Sequence, residues 1–128
     1  MHVTITPIFA ALLALLFLFL SYRTIRVRGK AHVPVGDGGN DELQRAIRAH
    51  GNFIEYVPIT LLLLMFLEMR EVGIYVMIAL GAMLLVGRCV HAYGISNPKE
   101  NYRFRTLGMV LTFITMIVAS FGLLYTYL

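Results

Sequence analysis

The sequence predicts an all-α integral membrane protein of four transmembrane helices in one bundle, and three observations carry that expectation. Hydrophobic residues fill 59% of 128 positions and charged residues only 14%, where soluble domains carry about a quarter. The mean hydropathy is +0.76. The apolar residues fall into four runs, each near the roughly 20 residues that cross a hydrocarbon core of about 30 Å. These runs and their connections use nearly the whole chain, so residues 1–128 form a single domain. The formal charge of +4 would point to nucleic acid in a soluble protein. Here the cations flank apolar segments, where they orient the chain in a bilayer, and nucleic-acid binding is excluded. The one cysteine, Cys89, rules out an intrachain disulfide and a cysteine metal cluster.

The first span is expected over residues 3–22, because Ile8 to Leu20 is unbroken apolar sequence. It lacks the basic lead and small-residue cleavage site of a secretory signal, so it is read as retained. The cations Arg23, Arg26, Arg28 and Lys30 follow, and the turn-rich stretch 33–41 connects to a second helix over 41–68 capped by Asn40 or Asp41. Pro58 lies inside that helix and withdraws a donor from the Ile54 carbonyl, so a local bend near Glu55 is expected. A short polar turn from Glu68 to Gly73 makes the second and third helices antiparallel neighbours. The third span is expected over 72–93 and the fourth over 102–128, joined by a loop containing Ser96, Asn97 and Pro98. Ten of the eleven Lys and Arg residues lie at the first and third connections. The positive-inside rule then puts both connections in the cytoplasm and both termini outside.

Asp41, Arg45, Arg48, Asn52 and Glu55 follow one another at intervals of four, three, four and three, which is one helical face. An Arg or Asp at the centre of a span costs roughly 2.5 to 3.5 kcal/mol, so this stripe should face other helices or a polar cavity. Arg88 and His91 share a face at the end of the third span, Arg103 and Arg105 open the fourth, and Tyr93 and Tyr102 stand nearby. Arg23 and Arg26 are three apart and could reach back along the first helix toward the stripe. Such a cluster fits a ligand with more than one carboxylate and an amine, since Arg forks pair with carboxylates and Glu55 would take a cation. It fits equally an internal arrangement in which Arg48 and Glu55 neutralise each other and Asn52 bridges helices. His50 falls off the stripe and should pack against a neighbouring helix. No two of His2, His32, His50 and His91 have the spacing of a helical metal pair, so no metal is expected. A small multidrug transporter would place an acid in the middle of the first span, and residues 3–22 contain none.

The segment Arg45-Ala-Ile-Arg48-Ala-His-Gly-Asn52-Phe-Ile-Glu55-Tyr-Val-Pro58 resembles the signature of the membrane-associated proteins in eicosanoid and glutathione metabolism, the MAPEG family. The resemblance continues through Arg88, His91 and an Arg at the start of the fourth helix, and covers four spans in the same order. DGG before the second helix and GRCVHAYG at the end of the third look most like the bacterial inner-membrane members. The resemblance implies a homotrimer of left-handed four-helix bundles with glutathione bound between subunits on the cytoplasmic side. It also implies a transferase or peroxidase acting on small lipophilic electrophiles that enter from the surrounding lipid. Arg48, Asn52 and Glu55 match residues that contact the tripeptide, Arg88 and His91 match further contacts, and Arg105, or next Arg103, matches the cation beside the thiol. This sequence departs at Gly51, where several members have a second Arg, and at Ile95, where some have a tyrosine. One branch of the family binds lipid without turning anything over, so a non-catalytic lipid-binding or scaffold role is the alternative.

Overall fold

The computed structural model describes residues 3–99 and 101–128; His2, one of the four histidines above, lies outside the described residues. It contains four helices: α1 (Ile5–Ala31), α2 (Asp41–Met69), α3 (Ile74–Ser96) and α4 (Tyr102–Tyr125). Each is long and apolar enough to cross a membrane. The fold is therefore an all-α integral membrane fold, as expected. The first helix runs nine residues past the expected end at 22. Nothing in Arg23 to Lys30 other than Gly29 opposes a helix, and Arg28 and Lys30 in its last turn suit the negative end of the helix dipole. Termination comes at His32, whose backbone turns left-handed (φ 53°, ψ 35°) while the next N–H, of Val33, reaches back to the Arg28 carbonyl. Arg28 then secures the connection by donating to the carbonyls of Val33 and Gly36 at 3.0 and 2.8 Å. The second helix starts where Asn40 accepts the Leu43 N–H at 2.9 Å and runs unbroken through Pro58.

The helices pack in a fixed order. α1 lies on α2 and α3, α4 lies on α3 and α2, and the backbones of α1 and α4 make no close approach among the described residues. The core between them contains Leu13, Leu20, Phe53, Val57, Leu64, Leu84 and Ala119. Outward faces present Leu15, Leu18, Val86, Phe121 and Leu124, the arrangement lipid requires. His50 does pack on a neighbour: its ring stacks on Phe17 of α1 at 4.7 Å, and its Nε2 lies 3.1 Å from the Ser21 hydroxyl.

The polar α2–α3 turn does more than connect. Glu68, at the end of α2, accepts the backbone N–H groups of Thr4, Ile5 and Thr6 at 2.7, 2.6 and 2.7 Å. No side chain of α1 caps that terminus, so a carboxylate from another helix satisfies three orphan donors. Arg70 donates to the Thr126 carbonyl at 2.7 Å and lies over the Tyr127 ring. One turn thus secures the start of α1 and the end of α4.

Candidate functional site

At the opposite end of the bundle, α2 buries Leu43, Ala46, Ala49, Phe53 and Val57 and leaves the predicted stripe on its other side. Arg48 and Glu55, seven residues and two turns apart, face each other at 3.7 Å with side chains 55% and 48% exposed. A pair so long and open contributes at most about 1 kcal/mol, so an incoming charged group can replace either partner at little cost. Asn52, between them, is half-buried. Toward the helix start, Asp41, Gln44, Arg45 and Arg48 of α2 meet Ile95 of α3 and Arg105 of α4 around a pocket of about 140 Å³. Asp41, the one acid on that wall among the described residues, is bound to Arg45 at 2.9 Å. The described lining carries the three guanidiniums of Arg45, Arg48 and Arg105 against that one carboxylate, a composition suited to a carboxylate.

Arg88 and His91 lie beneath this surface, each 1% exposed. The Nη2 of Arg88 donates to Asn52 Oδ1 at 2.6 Å, and its Nη1 lies 3.4 Å from Thr112 Oγ1 and 3.7 Å from Met109 Sδ. His91 Nδ1 lies 3.2 Å from the backbone carbonyl of Arg105. This contact joins the end of α3 to the first turn of α4, where Arg105 is exposed beside the pocket. Two glycines allow the approach. A Cβ at Gly94 would stand 2.6 Å from the Arg105 nitrogen, and one at Gly108 would stand 2.6 Å from the His91 nitrogen.

The remaining predicted residues lie elsewhere in the protomer. Arg23 turns to α3, donating to the Ser96 hydroxyl at 2.6 Å. Arg26 lines a separate 310 Å³ groove on α1 and α2 with Arg23, Lys30, Glu42, Phe19 and Tyr22. Within one protomer Arg26 and Arg105 line different pockets. Tyr93 is exposed, sits edge-on to Phe104, and lines an apolar groove between α1 and α3 with Phe19 and Cys89. Arg103 is exposed on the first turn of α4, where its backbone N–H donates to Asn101. Sequence reasoning missed Gln44, Thr112 and Met109. Gln44 stands four residues before Arg48 and could have been found by spacing; Thr112 and Met109 lie in an uncharged run that gives no sign of a buried guanidinium beside them.

The arrangement can be set beside known proteins. The MAPEG family profile matches residues 6–125. The chain is 38% identical over 114 residues to inner membrane protein YecN of Escherichia coli strain K12, covering 89% of this chain and 86% of that protein. The same figures hold for inner membrane protein YecN of Escherichia coli O6:H1 strain CFT073. The paired stripe on α2, the four spanning helices and a family match over nearly the whole chain agree: this protein belongs to the MAPEG family.

Proposed function

We propose that this protein is a glutathione-dependent enzyme of the bacterial inner membrane, a transferase or peroxidase acting on small lipophilic electrophiles, and that it works as a homotrimer. The observation that carries this reading is the half-exposed pair of Arg48 and Glu55 on the wall that leads to Arg105. Glutathione has two carboxylates, an amine and a thiol. Arg48 takes a carboxylate, Glu55 takes the ammonium, and the Arg105 guanidinium stands by the sulfur. A free thiol ionises near pH 8.5, and a neighbouring guanidinium favours the thiolate, which is the attacking form. The thiol proton leaves to solvent, the sulfur forms a bond to the electrophilic carbon, and the displaced group departs with its electron pair or, in an addition, the adduct is protonated.

The size of the pocket supports a site shared between subunits. At about 140 Å³ it falls below the roughly 300 Å³ at which pockets for drug-sized ligands begin. The cationic groove holding Arg23 and Arg26 is separate from the Arg105 pocket of the same protomer. In a trimer, the α1 of a neighbour closes the pocket and brings these two residues to the ligand. The relatives named as inner membrane proteins support the location, and the distribution of Lys and Arg supports a site on the cytoplasmic side.

Calorimetry on detergent-purified protein tests the reading. Wild type is expected to bind glutathione, with thiolate absorbance appearing near neutral pH. Arg48→Ala should weaken binding roughly ten- to a hundredfold, the loss of a charge-assisted hydrogen bond. Arg105→Ala should change affinity less and move the bound thiol's titration up toward its ordinary pH; equal titration curves in the two proteins would remove Arg105 from that role. One observation favours the second reading, a non-catalytic lipid-binding or scaffold protein. Ile95 lines the pocket at the position where some members carry a tyrosine, and it offers no hydroxyl. Absence of glutathione binding by wild type would select that reading, and turnover of a conjugation reaction above the uncatalysed rate would dismiss it.

A further inference from the structure

We propose that Arg88 is a positioning residue which never touches the ligand and determines which end of the Asn52 amide the ligand meets. A side-chain amide is an acceptor at one end and a donor at the other, and the two ends have nearly the same shape. Arg88 removes the ambiguity. A guanidinium has five N–H donors and no acceptor, so the atom it meets at 2.6 Å must be the oxygen, Oδ1. Flipping the amide would set N–H against N–H beside a side chain only 1% exposed, which is costly.

Arg88 is itself held. Thr112 has committed its hydroxyl hydrogen to the Gly108 carbonyl at 2.8 Å, so a lone pair faces Arg88 Nη1. No carboxylate lies within ion-pair distance of Arg88 among the described residues, and its Nε has no hydrogen-bond partner among them. The Asn52 oxygen is the closest acceptor this buried cation has, and a charge-assisted bond there is about twice as strong as a neutral one. The consequence falls on the other end of the amide. Asn52 is half-buried, and its Nδ2 makes no hydrogen bond among the described residues. A ligand on the stripe therefore meets Asn52 as a donor pair, four residues after Arg48 and three before Glu55. Arg48 and Asn52 then both select for carboxylate or peptide carbonyl oxygens, and Glu55 alone takes the ammonium. This assignment rests on the proposed glutathione site, while the lock between Arg88 and Asn52 does not.

Two measurements on the full-length protein in detergent separate these levels. Without ligand, protein labelled with ¹⁵N-asparagine should show one side-chain amide resonance displaced from those of exposed asparagines, and it should disappear in Asn52→Ala. In Arg88→Met that signal should move to the position of exposed asparagines while the others stay. Arg88→Lys, which keeps the charge and loses the fork, should shift it part of the way, and it carries the test if Arg88→Met fails to fold. With glutathione, Asn52→Ala and Arg88→Met should each weaken binding about tenfold, and the double variant no further. Asn52→Asp keeps an oxygen for Arg88 but has no donors, so it should fold normally and bind as poorly as Asn52→Ala. Losses that multiply in the double variant would mean that Arg88 contacts the ligand itself, and an Asn52 signal unmoved by either Arg88 variant would end the lock. If wild type binds no glutathione, the functional reading falls and the ligand-free spectra still decide whether Arg88 positions Asn52.

Discussion

Glu68→Ala should be among the most destabilising single substitutions in this chain, because it removes the acceptor shared by the N–H groups of Thr4 and of the first two residues of α1. Those N–H groups lie 2.6 to 2.7 Å from the carboxylate, and hydrogen bonds to a charged group contribute about 1.5 to 3 kcal/mol each when buried. The full sum will not be lost. A pocket bounded by Thr4, Ile5, Glu68 and Glu71 opens beside them, and water entering it replaces part of the bonding. A net loss of about 3 kcal/mol is expected, read as a lowered unfolding midpoint in detergent. Glu68→Gln keeps one carbonyl oxygen and should lose about half as much. The proposed glutathione binding should be affected far less in the folded fraction, since Glu68 and the Arg48 stripe lie at opposite ends of α2. If Glu68→Ala unfolds like wild type, the start of α1 is secured by packing of Leu13 and Leu20 rather than by this carboxylate.

The two ends of the bundle differ in how far the sequence reveals them. Hydropathy alone locates all four spans, and the four-three-four-three spacing places Arg48, Asn52 and Glu55 on one face, because both are properties of a single helix. Their depth was not legible. Arg88 and Arg105 are both arginines near helix ends, yet one is 1% exposed and the other lies open beside the pocket. The difference comes from α4 crossing over α3, which no periodicity in either helix encodes. Arg23 shows the same limit from the other direction: its spacing from Arg26 permits a reach toward the stripe, but α1 packs so that its nearest polar partner is Ser96. Glu68 looked like part of a short polar turn, and its role as a cap requires knowing that α1 begins beside the end of α2. The length of α1 was misjudged for a different reason. Lipid sets where an apolar run must stop, whereas a helix stops only where the backbone is forced out of it, here at His32.

The crossing of α3 and α4 is also where the second large effect is expected. Gly108→Ala adds one methyl group, yet its Cβ would stand 2.5 Å from the Gly87 carbonyl oxygen and 2.6 Å from both the nitrogen and the Cβ of His91. Two of these atoms are backbone and cannot rotate aside, so the helices must separate. Overpacking of this kind costs about 1 to 3 kcal/mol, and small residues that let helices approach closely are the main means of association within a membrane. Separation would also lengthen the 3.2 Å contact between His91 and the Arg105 carbonyl and carry Arg105 away from Arg48. Gly108→Ala should therefore lower the unfolding midpoint and, in the protein that remains folded, weaken the proposed glutathione binding. Gly94→Ala should act in the same direction, since its Cβ would stand 2.6 Å from the Arg105 nitrogen. Gly51→Ala provides the contrast: nothing lies within 4 Å of that Cβ, and Ala in place of Gly inside a helix should stabilise by up to about 1 kcal/mol. Unfolding curves of the three variants together with their glutathione isotherms distinguish close approach from helix propensity. If Gly108→Ala matched Gly51→Ala in both, the α3–α4 crossing would not be what holds Arg105 at the pocket.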